Sequence, residues 1–77
     1  MNIDDEIKKI FFEVFPMMSV KEFNWDKKQK EYENWDSFAH LHLITLAEER
    51  FNVTLDVDES TSIDSAKRLA DYVRSHK

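Results

Sequence analysis

The sequence predicts an all-α fold: a four-helix bundle with three main helices, one short helix and a long first loop. Three stretches carry this expectation. Ile3, Ile7, Ile10, Phe11 and Val14 recur at helical spacing near the start. Leu43, Ile44, Ala47 and Phe51 do so in the middle, and Ala66, Leu69, Ala70 and Val73 near the end. The 77 residues leave room for one domain, residues 1–77, with a modest core and no deep active site.

The first helix is expected over about Asp4 to Phe15. Asp4, Asp5 and Glu6 suit its positive end, and Pro16 stops it by disfavouring the helical conformation in the residue before it. From Met17 to Trp35 no period is visible. Phe23, Trp25 and Tyr32 lie scattered among polar residues, as in a long loop pinned by aromatic side chains, with room for one short helical turn. Asp36 is a good N-cap, and the second helix runs from about Ser37 to Phe51. Asn52 leaves the helix, and Val53, Leu55 and Val57 alternate through an extended link. Asp58 to Thr61 make a single turn. Asp64 or Ser65 then caps the last helix, whose end carries Arg74, His76 and Lys77.

Composition excludes several classes of function. With 42% apolar and 13% aromatic residues, the chain folds rather than staying disordered. It has no cysteine, hence neither disulfides nor thiolate zinc sites, and the cytoplasm is the expected compartment. A net charge of −5 disfavours nucleic acid and favours basic partner surfaces. The acidic start is unlike a signal peptide, and no apolar run approaches the roughly 20 residues that span a bilayer. No membrane insertion is therefore expected, and the expected molecule is a monomer.

Placed at about 100° intervals, His40, Leu43, Ile44, Ala47 and Phe51 share the core side of the second helix. Phe38, Leu41, His42, Thr45, Glu48 and Glu49 fall opposite. Scattered exposed apolar residues are ordinary. Phe38 and Leu41 among acids also fit a docking face, apolar at its centre and acidic at its edge. His40 and His42 point to different sides and no third ligand is near in sequence, so no metal site is expected. His40 is expected to be partly buried with a backbone partner.

Ser37 stands where loop becomes helix, preceded by an acid. As a nucleophile it would need a base, an orienting acid and an oxyanion hole. The chain has no glycine at all, hence no G-x-S-x-G elbow, and His40 is turned toward the core, so no catalytic residues are expected.

Asp36-Ser37-Phe38, then Leu43-Ile44, Glu48-Glu49-Arg50-Phe51 and Val53, resembles the signature of acyl carrier proteins. Asp58-Glu59 and the run from Ile63 through Leu69-Ala70-Asp71-Tyr72-Val73 also look like that family. The likeness covers the whole length in layout and is specific over the last half. It implies a non-enzymatic carrier. Ser37 would accept 4'-phosphopantetheine from coenzyme A through a separate phosphopantetheinyl transferase, and the thiol tip would hold an acyl group as a thioester. Asp36 matches the aspartate that supports this modification. Phe38, Leu41, His42, Thr45, Glu48 and Glu49 would meet the transferase, the loading ligase and the acyltransferase or synthase partners. The resemblance departs from the usual pattern at Asn34-Trp35 (where a glycine is common), Phe38, His42 and Thr45. The Trp-Asp-Ser form looks more like stand-alone bacterial carriers of specialised pathways than like fatty-acid carriers. Trp35 either packs the loop onto the bundle or flanks the arm. Two other readings stay open: an aminoacyl or peptidyl carrier of the D-alanyl type, and a helical interaction domain that is never modified.

Overall fold

The computed structural model describes residues 2–76. Among them it has four α-helices, α1 (Ile3–Val14), α2 (Ser37–Phe51), α3 (Val57–Ser62) and α4 (Ala66–His76), and no strand. The all-α bundle with one short helix and a long first loop is thus the fold. No helix among the described residues is long and apolar enough to cross a membrane.

α1 starts one residue earlier than its periodicity predicts. The Asn2 side chain accepts from the Asp5 N–H at 3.2 Å, so asparagine is the cap and Ile3 the first helical residue. The helix buries Ile7, Ile10 and Phe11 and ends against Phe15, with Pro16 beyond it. Both α2 and α4 pack against α1. At the N-terminal end of α1, Asp4 pairs with Arg74 of α4, and Glu6 lies 3.5 Å from Arg50 near the end of α2. Arg50 also reaches Glu13 at 3.3 Å, while Trp35, just before α2, packs on Phe15, just after α1, so α2 and α4 both run opposite to α1.

The long loop holds two 3₁₀ turns, Val20–Glu22 and Gln29–Glu31, where one was expected. In each, a glutamate at the third position reaches back to the N–H that precedes the turn. Glu22 accepts from Ser19 at 3.1 Å and Glu31 from Lys28 at 3.1 Å. α3 uses the same device reciprocally: Asp56 accepts from the Glu59 N–H at 2.8 Å while Glu59 accepts from the Asp56 N–H at 3.1 Å. The Ser19 N–H, and secondarily its hydroxyl, hold the Glu22 carboxyl below the ordinary carboxylate value.

α2 leaves through Asn52, which sits in the left-handed region at φ 54°, ψ 49°. In a chain without glycine, asparagine is the residue that tolerates this best. Leu55 is buried, as its place in the link implies. Val57 is not part of the extended link. The Asp56–Glu59 capping box starts α3 at Val57 and leaves that side chain 80% exposed. α4 is capped by Ser65, whose Oγ accepts from the Arg68 N–H at 3.1 Å. That bond satisfies an otherwise buried hydroxyl.

The core unites Ile7, Ile10 and Phe11 of α1 with Leu43, Ile44 and Phe51 of α2, Ile63, and Leu69 and Val73 of α4. Truncating Phe51, fully buried at the end of α2, removes packing on which the fold depends. Phe51→Ala should cost roughly 3–5 kcal/mol in urea unfolding, whereas Ser37→Ala, at an exposed position, should change stability by less than about 1 kcal/mol.

Candidate functional site

Ser37 is the first residue of a 15-residue helix and is exposed. Its position is fixed from both sides. Behind it, the Asp36 carboxylate accepts from the Ala39 N–H at 2.9 Å, and the Asp36 carbonyl accepts from the His40 N–H at 2.9 Å. Asp36 is thus occupied in starting the helix while remaining exposed.

Before Asp36 stands Trp35, only 4% exposed. Its ring meets Phe11 edge-on at 5.5 Å and Tyr32 at 5.3 Å, and tilts onto Phe15 at 6.0 Å. The indole N–H donates to His40 Nδ1 at 2.9 Å, and His40 Nε2 lies 2.8 Å from the Ser60 carbonyl in α3. An indole N–H can only donate, so Nδ1 is the acceptor and Nε2 carries the proton given to Ser60. The chain Trp35–His40–Ser60 ties the loop, the first turn of α2 and the end of α3 together. It also answers two questions left by the sequence. Trp35 packs the loop onto the bundle. His40, half-buried with a backbone partner, has both ring nitrogens engaged and is no base for Ser37.

On the outer side of α2, Phe38 is 85% and Leu41 65% exposed, and His42, Thr45 and Glu49 are exposed beside them. Glu48 differs. It is half-buried, and its carboxylate accepts from the Leu55 N–H at 2.9 Å, which holds the link to α3 against the helix. Local spacing cannot reveal that bond, because it depends on how the chain returns after Asn52. Sequence reasoning also missed Val57, which adds an exposed apolar residue at the start of α3. Among the described residues, no group of three or more His, Cys, Asp or Glu side chains could hold a metal ion.

An exposed serine thus stands at the head of a helix with exposed apolar residues, on a small helical bundle. Comparison with known proteins gives the class. No protein-family model matches the chain. The acyl carrier protein of Buchnera aphidicola subsp. Acyrthosiphon pisum (strain 5A) is 30% identical over 74 residues, covering 96% of this chain and 91% of that protein. The acyl carrier proteins of strains Tuc7 and APS are each 30% identical over 73 residues, covering 95% of this chain and 90% of theirs. The chain belongs to the acyl carrier protein family, and with it comes a carrier role in general terms.

The relay gives a direct prediction. His40→Leu keeps bulk at position 40 but leaves the buried Trp35 N–H without an acceptor. It should lower unfolding free energy by about 1–3 kcal/mol in chemical denaturation and change Trp fluorescence in the native baseline.

Proposed function

We propose that this chain carries an acyl group on 4'-phosphopantetheine attached to Ser37 and passes it between the enzymes of a biosynthetic pathway. The observation that carries the proposal is the exposed Ser37 hydroxyl at the first position of α2, in a chain of the acyl carrier protein family. The residues present fit the group. Ser37 Oγ is accessible, and the N–H groups of the first turn of α2, with the helix dipole, favour a phosphodiester there. Bound to Ser37, the arm would supply a thiol that holds the acyl group as a thioester.

This chain's own residues have three tasks. Ser37 Oγ bonds to the phosphorus of the phosphopantetheinyl group, and the adenosine bisphosphate half of coenzyme A leaves. The hydroxyl proton goes to the transferase. Asp36 holds the first turn open toward solvent while its exposed carboxylate stays available to the metal-assisted transferase. Phe38, Leu41, His42, Thr45 and Glu49 form the face met by the transferase, the loading ligase and the acyltransferase or synthase. Leu41 fills a shallow apolar pocket on each, and the acids steer basic surfaces. Glu48 adds charge to that face, but its carboxylate is also bound to Leu55.

Incubation with coenzyme A, magnesium and a broad-specificity phosphopantetheinyl transferase should add one phosphopantetheinyl mass to the chain and none to Ser37→Ala. A mass gain that survives in Ser37→Ala would overturn the assignment. Glu49→Lys should slow loading by a cognate transferase at low salt and less so at high salt, since the screening length shrinks from about 10 Å at 0.1 M to about 3 Å at 1 M. Glu48→Lys should in addition destabilise the chain, because it removes the acceptor of the Leu55 N–H. Loading of Glu49→Lys at the wild-type rate at low salt would remove that residue from the docking face.

A further inference from the structure

His40 breaks the pattern of its own helix. The inner side of α2 is otherwise apolar, with Leu43, Ile44, Ala47 and Phe51, yet at its head it carries an ionisable ring. That ring is the middle of the chain from Trp35 to Ser60. The Trp35 and His40 rings lie 25° from coplanar with centroids 5.8 Å apart, while the two bonded nitrogens are 2.9 Å apart. The rings thus meet edge to edge, and the indole N–H approaches Nδ1 from the side, where its lone pair lies. The bond closes residues 35–40 into a clasp, and Asp36 and Ser37 lie inside it.

The clasp closes on one protonation state only. Nδ1 must stay bare to accept from the indole, and Nε2 keeps its hydrogen for the Ser60 carbonyl. A proton added to the ring therefore goes to Nδ1. It sets two N–H groups against each other at 2.9 Å and leaves the buried indole without an acceptor. The charged and titratable groups that flank the ring's contacts are Glu33 and Asp36 beside Trp35, His42 on the outer side of α2, and Asp56, Asp58 and Glu59 on α3, with His76 of α4 at 3.9 Å from Glu59. Acids predominate among them, and they attract a proton to the ring rather than exclude it. The opposition to that proton comes from hydrogen bonding.

We propose that His40 is a positioning residue that acts through Trp35 to hold Ser37 for modification, and that proton uptake by His40 opens the clasp and withdraws Ser37 from its transferase. The modification itself rests on the carrier reading given above. Trp35 stays anchored by Phe11, Phe15 and Tyr32, so the part that moves is the first turn of α2, with the end of α3 bound to it through Ser60. The closed form lacks a proton that the open form binds, so acidification favours the open form. The closed-to-open ratio falls by up to about tenfold per pH unit, the limit for a single proton. Histidine changes charge between about pH 5 and 8, a range in which carboxylates stay ionised. The clasp is therefore shut at the upper end of that range and opens toward the lower. Misplacing a reacting group by about 1 Å can slow a reaction on the order of a hundredfold. Glutamine at position 40 offers the same two contacts, an acceptor oxygen and a donor N–H, and takes up no proton.

The test follows the Trp35 indole N–H by NMR in the isotopically labelled full chain, its signal assigned with Trp25→Phe. From about pH 7.5 to 5.5 the signal should shift in wild type, and its protection against solvent exchange should fall by up to about a hundredfold. In His40→Gln both should hold constant. His42 and His76 are present in both chains, so the difference isolates His40. The same chains are loaded with coenzyme A, magnesium and a broad-specificity phosphopantetheinyl transferase, and followed by intact mass. The wild-type rate divided by the His40→Gln rate, in which the transferase's own pH dependence cancels, should fall several-fold over this range. An indole signal unchanged in wild type would overturn the clasp without reference to any variant. A pH-dependent indole with a constant loading ratio would overturn the positioning role while leaving the carrier reading in place. No mass gain in any chain would overturn the carrier reading and the positioning role with it.

Discussion

The hydrogen-bonded chain from Trp35 through His40 to Ser60 is the constraint on which the site depends. It joins the end of the long loop and the first turn of α2, five residues apart, to α3, a further 20 residues along, each through a group with few alternatives. The indole must donate, one imidazole nitrogen must therefore accept, and the other is left to donate to a helix carbonyl. Trp35 is anchored on its other side by Phe11, Phe15 and Tyr32. The loop therefore delivers Asp36 and Ser37 to a fixed place, and α2 begins there. Ser37 itself contributes nothing to this framework. The residue proposed to carry the cofactor is mechanically idle, while the framework that positions it runs through the buried Trp35 and the half-buried His40.

Charge divides the molecule in the same spirit. The net −5 is not spread evenly. Acids lie along α2 and α3, among the exposed Phe38, Leu41 and Val57, while Lys27, Lys28 and Lys30 gather in the second half of the loop. Lys27 packs over the Tyr32 ring at 4.5 Å, so part of that cluster is structural. Ser37 stands at the boundary between the two regions.

Much of this was legible in the sequence where the cause was local. α2 runs from Ser37 to Phe51 as its cap and its periodicity predict, because Asp36 starts it and Asn52 ends it within a few residues. The buried side of α2, with Leu43, Ile44, Ala47 and Phe51, follows from helical spacing alone. The family was legible too, from Asp36-Ser37-Phe38 set in that helix and at that chain length. Features with distant causes were not. Nothing near Trp35 says that Phe11 and Phe15 will close over it, and nothing near Glu48 says that the Leu55 N–H will return to its carboxylate. The second 3₁₀ turn has no periodic signal because it is held partly by pairing of Gln29 with Asp64. Val57 was misplaced for a simpler reason. Alternating Val53, Leu55 and Val57 resembles an extended segment, but the Asp56–Glu59 capping box overrides that pattern.

We propose that Ser37 carries a covalent arm in the living cell. Intact-mass measurement of the chain purified from its producing cells, followed by peptide mapping, tests it most directly. A population heavier by one phosphopantetheinyl group, with or without an acyl group, is expected, with the addition on the peptide that contains Ser37. A chain whose Ser37 is unmodified in every preparation, from cells shown to contain an active phosphopantetheinyl transferase, would contradict it.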